Sequence, residues 1–212
     1  MRTRLLALAL VGGLAVAAVP AHAAKAKPQI TDPAGDANGV NDQGLVTGSP
    51  IPSGQSGPAD LSQADITAVQ FATTFVTKKA HGKTVKVPTG LTVTMTLAAA
   101  PTLPNIIYRV AASSTSCETL FFEFSTAPND SEPGSARCAA ALPNPSGPVA
   151  VKSVAVKGNS ITWTVPLTSI PKNTVLSSLD AQTRQVTQTP AVGITAPQYD
   201  YASTSSTFTV GK

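Results

Sequence analysis

Leu91-Thr92-Val93-Thr94-Met95-Thr96-Leu97 is the stretch that decides the fold class. Apolar and hydroxyl side chains alternate along it without a break. A β-strand sends successive side chains to opposite faces, so Leu91, Val93, Met95 and Leu97 share one face and the three threonines the other. A strand with one dry face and one wet face belongs to an antiparallel sheet packed on one side only. Upstream, Asp65 to Phe75 reads as a strand, and Lys78-Lys79-Ala80-His81-Gly82-Lys83 as the hairpin tip that joins it to the quoted stretch. Downstream, Ile106 to Val110 and Leu120 to Phe124 are two further strands. Val149 to Leu167 predicts a hairpin turning at Lys157-Gly158-Asn159-Ser160, because Gly-Asn suits the positive φ of tight hairpin turns. Ile161, Trp163, Val165 and Leu167 share a face there, which makes Trp163 a core anchor. Val149 and Val151 are out of phase with Val154 and Val156, which predicts a β-bulge near Lys152-Ser153. Pro166 marks a strand end or an edge. Thr168 to Leu179 predicts one helical turn, Arg184 to Thr189 a strand, and Ser205 to Val210 the last strand. About seven to nine strands with turn signals between them describe an all-β, antiparallel β-sandwich.

The flanks set the compartment. Arg2 and Arg4 precede an unbroken apolar run from Leu5 to Val19, and Ala21-His22-Ala23 follows it. That order predicts a secretory signal peptide over residues 1–23, leaving 24–212 as a single domain. The run is shorter than the roughly 20 residues that span a bilayer, so no transmembrane anchor is expected. Charged residues make up 12% of the chain, about half the usual ~25%. Thr, Val, Ser and Ala dominate instead, which argues against a helical bundle. Loss of Arg2 and Arg4 brings the formal net charge of +4 closer to neutral. A balance that small, without aromatics interleaved among the basic residues, gives no case for a nucleic-acid partner. Cys117 and Cys138 are the only cysteines, and in an exported chain they are expected to form a disulfide.

Asp32 to Asp60 is a long Asp/Gly-rich stretch with almost no periodicity, of a kind that is uncommon in a compact domain unless it is functional or disordered. Asp32, Asp36, Asp42, Asp60 and Asp65 crowd into this region, with Asn38 and Asn41 among them. Hard oxygen donors on a Gly-rich loop suit Ca²⁺, which takes 6–8 oxygens in a flexible shell. The pattern is not an EF-hand, since Val40 falls where a ligand is needed and Gly39 comes too early. The same residue types are also ordinary turn formers, and spacing alone leaves both readings open.

Asp32-Pro33-Ala34-Gly35-Asp36, followed by Ala64-Asp65-Ile66-Thr67-Ala68-Val69, resembles the opening of the DOMON-like and family-9-like carbohydrate-binding β-sandwiches, a group that includes the C-terminal binding module of glucodextranase-type enzymes. Tyr199-Asp200-Tyr201-Ala202 resembles the equivalent late position. The motif-bearing parts cover a small share of the chain, and the long, aromatic-poor stretch between Gly39 and Asp60 departs from the pattern. The resemblance implies a calcium site with Asp32, Asp36, Asn38, Asp65 and Asp200 as ligands, and a carbohydrate partner. Sugar binding calls for exposed aromatics beside polar groups, and Tyr199, Tyr201 and Tyr108 are the candidates. By parity Tyr199 and Tyr201 share a face and Asp200 points the other way. Tyrosines that simply cap the sandwich end are the alternative.

Catalysis finds little support. His22 leaves with the signal, so His81 is the only histidine of the mature chain, and it lies among Lys78, Lys79, Lys83 and Lys86 with no nearby acidic residue to orient it. Glu123 alternates with Phe122 and Phe124 and is expected on a solvated face. The four lysines could dock on an anionic polymer or lipid headgroups, or could protect exposed strands from aggregation. The sequence thus predicts a secreted, monomeric, non-catalytic binding module, calcium-stabilised, for a glycan or cell-envelope polymer. The alternative is an extracellular structural or protein-interaction domain that binds no sugar.

Overall fold

The computed structural model describes residues 27–37, 40–41, 61–80, 83–128, 130, 134–139, 147–185 and 197–212. The expected signal peptide, Asn38, Asp42, Asp60 and His81 lie outside the described residues. Thirteen strands run through the described residues: β1 Ile30–Thr31, β2 Val40–Asn41, β3 Ile66–Ala80, β4 Lys83–Leu97, β5 Ile106–Ser113, β6 Thr119–Ser125, β7 Gly134–Ala139, β8 Gly147–Pro148, β9 Ser153–Lys157, β10 Ser160–Pro166, β11 Val175–Gln185, β12 Pro197–Thr204 and β13 Phe208–Thr209. They form two sheets, ordered β1-β3-β4-β10-β9 and β2-β12-β11-β5-β6-β7-β8, with β13 paired to β11. Every pairing is antiparallel. The sheets pack on one another as an all-β sandwich. Among the described residues no helix is long and apolar enough to cross a membrane.

The alternation in β4 has the consequence expected of it. Leu91, Val93, Met95 and Leu97 are buried, as are Ile161, Trp163 and Val165 on the neighbouring β10. The threonines face outward and bond across strands: Thr94 to Thr162 at 3.1 Å, and Thr92 to the Ala72 carbonyl at 3.2 Å. Such ladders satisfy the hydroxyls and stiffen the wet face. Phe122 of the second sheet meets Phe71 and Trp163 of the first, each with ring centroids 6.5 Å apart. The Trp163 indole N–H donates to the Glu123 carbonyl at 2.9 Å, so the buried ring keeps its one polar atom satisfied. Cys117 and Cys138 are disulfide-bonded, with Cα atoms 5.7 Å apart, beside the β6–β7 pairing.

Four expectations need correction. The phase break before Val154 is not a bulge. The Val149 N–H bonds to the Ala136 carbonyl in the second sheet, whereas the Lys152 N–H bonds to the Thr164 carbonyl in the first. The chain changes sheets between them, so its inward face changes too. No helix forms within Thr168 to Leu179: residues 168–174 are turns, a bend and irregular chain, with one i→i+4 bond from the Ile170 N–H to the Pro166 carbonyl, and β11 begins at Val175. The strand expected from Arg184 lies earlier, over Val175–Gln185, and its expected remainder falls outside the described residues. The last strand is short, Phe208–Thr209, and Tyr199-Asp200-Tyr201 lies in β12, which precedes it.

Candidate metal centre

Burial of Ile30 fixes the approach of the N-terminal segment. It is 1% exposed, and the N–H groups of Gln29 and Asp32 bond to the carbonyls of Val69 and Thr67 on β3. Asp32 therefore follows β1 at the edge of the first sheet. Pro33-Ala34-Gly35 then turns the chain, with Gly35 at φ +92°, a left-handed conformation that glycine adopts without a Cβ penalty. The Gly35 N–H donates to Asp65 Oδ2 at 2.5 Å. That bond folds the turn back over the start of β3 and brings Asp36 beside Asp32.

Asp200 arrives from the other sheet. A bulge in β12 is what aims it. Thr183 of β11 pairs with Asp200 and Arg184 with Gln198, which leaves Tyr199 as the extra residue. Tyr199 and Asp200 are consequently both buried, while Tyr201 faces out. Asp200 Oδ2 accepts the Ile66 N–H at 2.6 Å and Oδ1 accepts the Tyr201 N–H at 2.7 Å, so one carboxylate spans the two sheets. Carboxylate oxygens of Asp32, Asp36 and Asp200 all lie within 4.8 Å of one another. Asp65, 2% exposed, stands behind them. Its Oδ1 and Asp32 Oδ2 are buried without a hydrogen-bond partner.

This arrangement is electrostatically costly for the bare protein. Burial, and then the neighbouring Asp36 and Asp65, raise the Asp32 carboxyl above its ordinary range. Burial raises Asp65 as well, against the Gly35 N–H and with help from Asp36. Asp200 is pushed up to about 7, by burial first and by Asp32 and Asp36 in addition, although its two N–H donors oppose the shift. Like charges at this spacing cannot all ionise cheaply without a counter-charge. An all-oxygen donor set with orphaned buried oxygens fits a hard divalent cation and offers nothing to a soft one.

Of the sequence-derived ligands, Asp32, Asp36 and Asp200 come together. Asp65 lies beside them and holds the Gly35 turn, and Asn38 is outside the described residues. The tyrosines do not form the expected exposed set. Tyr108 is fully buried and donates its hydroxyl to the Gln63 carbonyl at 3.0 Å. Tyr199 is 7% exposed, because the bulge breaks the parity that pairs it with Tyr201. Tyr201 alone is open to solvent, at 45%.

Glu123 also departs from expectation. It sits between two guanidiniums, 2.9 Å from Arg137, and receives both Nε and Nη2 of Arg109. Burial would raise its carboxyl, but the charges and hydrogen bonds of Arg109 and Arg137 hold it below the ordinary range. Both guanidiniums also lie over the Phe121 ring, at 4.7 and 5.0 Å. Sequence reasoning missed this group because it depends on cross-strand register: Arg109 faces Glu123 and Phe121 faces Arg137 only once β5, β6 and β7 are aligned. No protein-family model, curated protein or solved structure matches this chain.

Proposed function

We propose that this chain is an exported, non-catalytic β-sandwich module, acting as a monomer and stabilised by Ca²⁺ bound among Asp32, Asp36 and Asp200, with Asp65 bracing the loop. The observation that carries the reading is the meeting of three carboxylates, two from the N-terminal turn and one from β12, with oxygens within 4.8 Å of one another. Bound Ca²⁺ would supply the counter-charge these groups lack and tie the N-terminal segment to both sheets. Asp200 would contribute from its buried, doubly hydrogen-bonded position, and Asp36 from the solvent side. The disulfide and the all-β fold are compatible with an extracellular role.

Mass action supplies the test, since an ion that binds only the folded state must stabilise it. The melting temperature is expected to rise by several degrees between chelator and excess calcium, a gain that Asp200→Asn removes. Equal melting temperatures in the two conditions, with no heat of calcium binding by calorimetry, would overturn the metal centre.

The partner we propose is a glycan or cell-envelope polymer, met at the surface around Tyr201. A specific observation also favours the second reading, a structural or protein-interaction domain without sugar binding: burial of Tyr108 and Tyr199 leaves one exposed tyrosine where a polymer platform needs several. Polysaccharide pull-down separates them. Retention on an insoluble glycan that Tyr201→Ala abolishes supports the first; no retention on any polymer supports the second.

A further inference from the structure

β3 and β4 continue past the sandwich. β10 pairs with β4 only from Thr96 to Gly90, whereas the β3–β4 pairing runs on from Phe75↔Pro88 to Ala80↔Lys83. Six residues of β3 thus extend without a third strand, an arm of roughly 20 Å at about 3.3 Å per residue. Residues 77–80 and 83–86 are exposed without interruption, so neither face of the arm's outer part is covered, while Phe75, Val76, Val87 and Pro88 at its base are half-buried. The arm carries Lys78, Lys79, Lys83 and Lys86, and neither strand contains an acidic residue. Among the described residues none of these lysines is in a salt bridge.

The register sorts the arm's side chains. Val76 faces Val87, Lys78 faces Val85 and Ala80 faces Lys83, which places these six on one side. Val85 is 39% exposed. Lysines alone would explain protection of a bare edge. They do not explain Val85, an exposed apolar side chain facing Lys78 with Val76 and Val87 half-buried behind it on the same side.

We propose that this arm is a docking element for an anionic lipid surface, with the valine face entering the headgroup boundary and the lysines pairing with lipid phosphates. Charge complementarity selects an anionic partner. Val85, exposed in the middle of this cationic arm, selects a lipid surface over a soluble polyanion, because only the former removes it from water. Long lysine stems suit this position, since they reach from an apolar contact to a charged layer. The inference does not depend on the metal centre.

Co-sedimentation of the full chain with vesicles tests it. Expected is binding to phosphatidylcholine vesicles containing about 30% phosphatidylglycerol and none to phosphatidylcholine alone, weakening as salt rises from low ionic strength to about 150 mM. Replacing Lys78, Lys79, Lys83 and Lys86 with Gln is expected to lower partitioning at least about tenfold. Val85→Ser is expected to lower it about threefold. All these positions are on the arm, so melting temperatures should match the wild type; the salt dependence of the wild type keeps the test standing should a variant fail to fold. Absence of binding to the anionic vesicles overturns the proposal. So does binding that ignores the valine substitution and is equalled by soluble polyphosphate, which would assign the arm to a polyanionic polymer. Binding that survives the Lys→Gln changes but vanishes with chelator would assign it to a calcium bridge through the acidic cluster.

Discussion

Asp200 joins two conflicting demands in one side chain. Its N–H donors from Ile66 and Tyr201 favour the carboxylate, while its burial and the nearby Asp32 and Asp36 favour the neutral acid. The second set wins in the bare protein, at about 7. A carboxyl whose folded pKa lies above its unfolded value adds stability that is complete below the unfolded pKa, near 3.9, and disappears as pH rises through the folded one. Asp32 and Asp65 shift in the same direction. In calcium-free buffer the melting temperature should therefore fall between pH 5 and pH 8, by an amount worth roughly 1–4 kcal/mol. Excess calcium should cancel the fall at pH 8 and change little at pH 5. Glu123 works in the opposite sense: Arg109 and Arg137 depress it, so its contribution is lost only as pH falls through its lowered pKa, outside this window. Thermal melts at the two pH values, with and without calcium, check the sign. A calcium-free protein more stable at pH 8 than at pH 5 would contradict it.

Among the elements, β10 and the Leu91 to Leu97 part of β4 were legible because strict period two survives in them, whereas the β3–β4 pairing shifts register between Ile66 and Ala68 and between Thr74 and Phe75. β11 was not legible, and its reason is visible in the register. Leu176 and Leu179 are both buried although three residues apart, a helix-like spacing. The pairing to β5 shifts between Ser177 and Asp180, and Ser178 within that shift has φ +48°. A bulge has inserted the extra residue that period two cannot accommodate. The β12 bulge hid the orientation of Tyr199 in the same way, and the passage between sheets at Ala150-Val151 looked like a bulge that is not there. Candidate acidic ligands were easier to place than candidate aromatic ones, since clustering of Asp is a property of composition whereas exposure of a tyrosine depends on register. Ser178 offers a check on the bulge itself. Being exposed and left-handed, it gains nothing from its Cβ, and Ser178→Gly should stabilise the fold by about 1 kcal/mol. In a regular strand the same change would destabilise by a similar amount. Denaturant midpoints distinguish the two, because the sign of the shift is opposite.

For the whole molecule, the question is how much of it would depend on the proposed cation. The core contains Phe71, Phe122 and Trp163 in contact across the sheets, with β4 and β10 packed against them. Only the end of β4 reaches the acidic cluster, where Leu97 pairs with Ile66 and the Ala98 N–H bonds to the Asp65 carbonyl. The N-terminal segment is different. It is held by two paired residues in β1, by the Gln29 and Asp32 N–H bonds to β3, by the Gly35 bond to Asp65 and by burial of Ile30. Proteins open in cooperative units of unequal stability, and a short edge strand belongs to the least stable. Removing calcium should therefore release residues 29–36 from the sandwich without unfolding it. Amide exchange gives the distinction directly. With chelator at neutral pH, exchange at the Asp32, Gly35 and Ile66 N–H groups should accelerate at least about tenfold, corresponding to roughly 1.4 kcal/mol of local stability. Amides of β4 and β10 should keep their protection. If those central amides accelerate in step with the N-terminal ones, the cation supports the whole sandwich rather than one strand at its edge, and the acidic cluster is a keystone of the fold instead of a clasp.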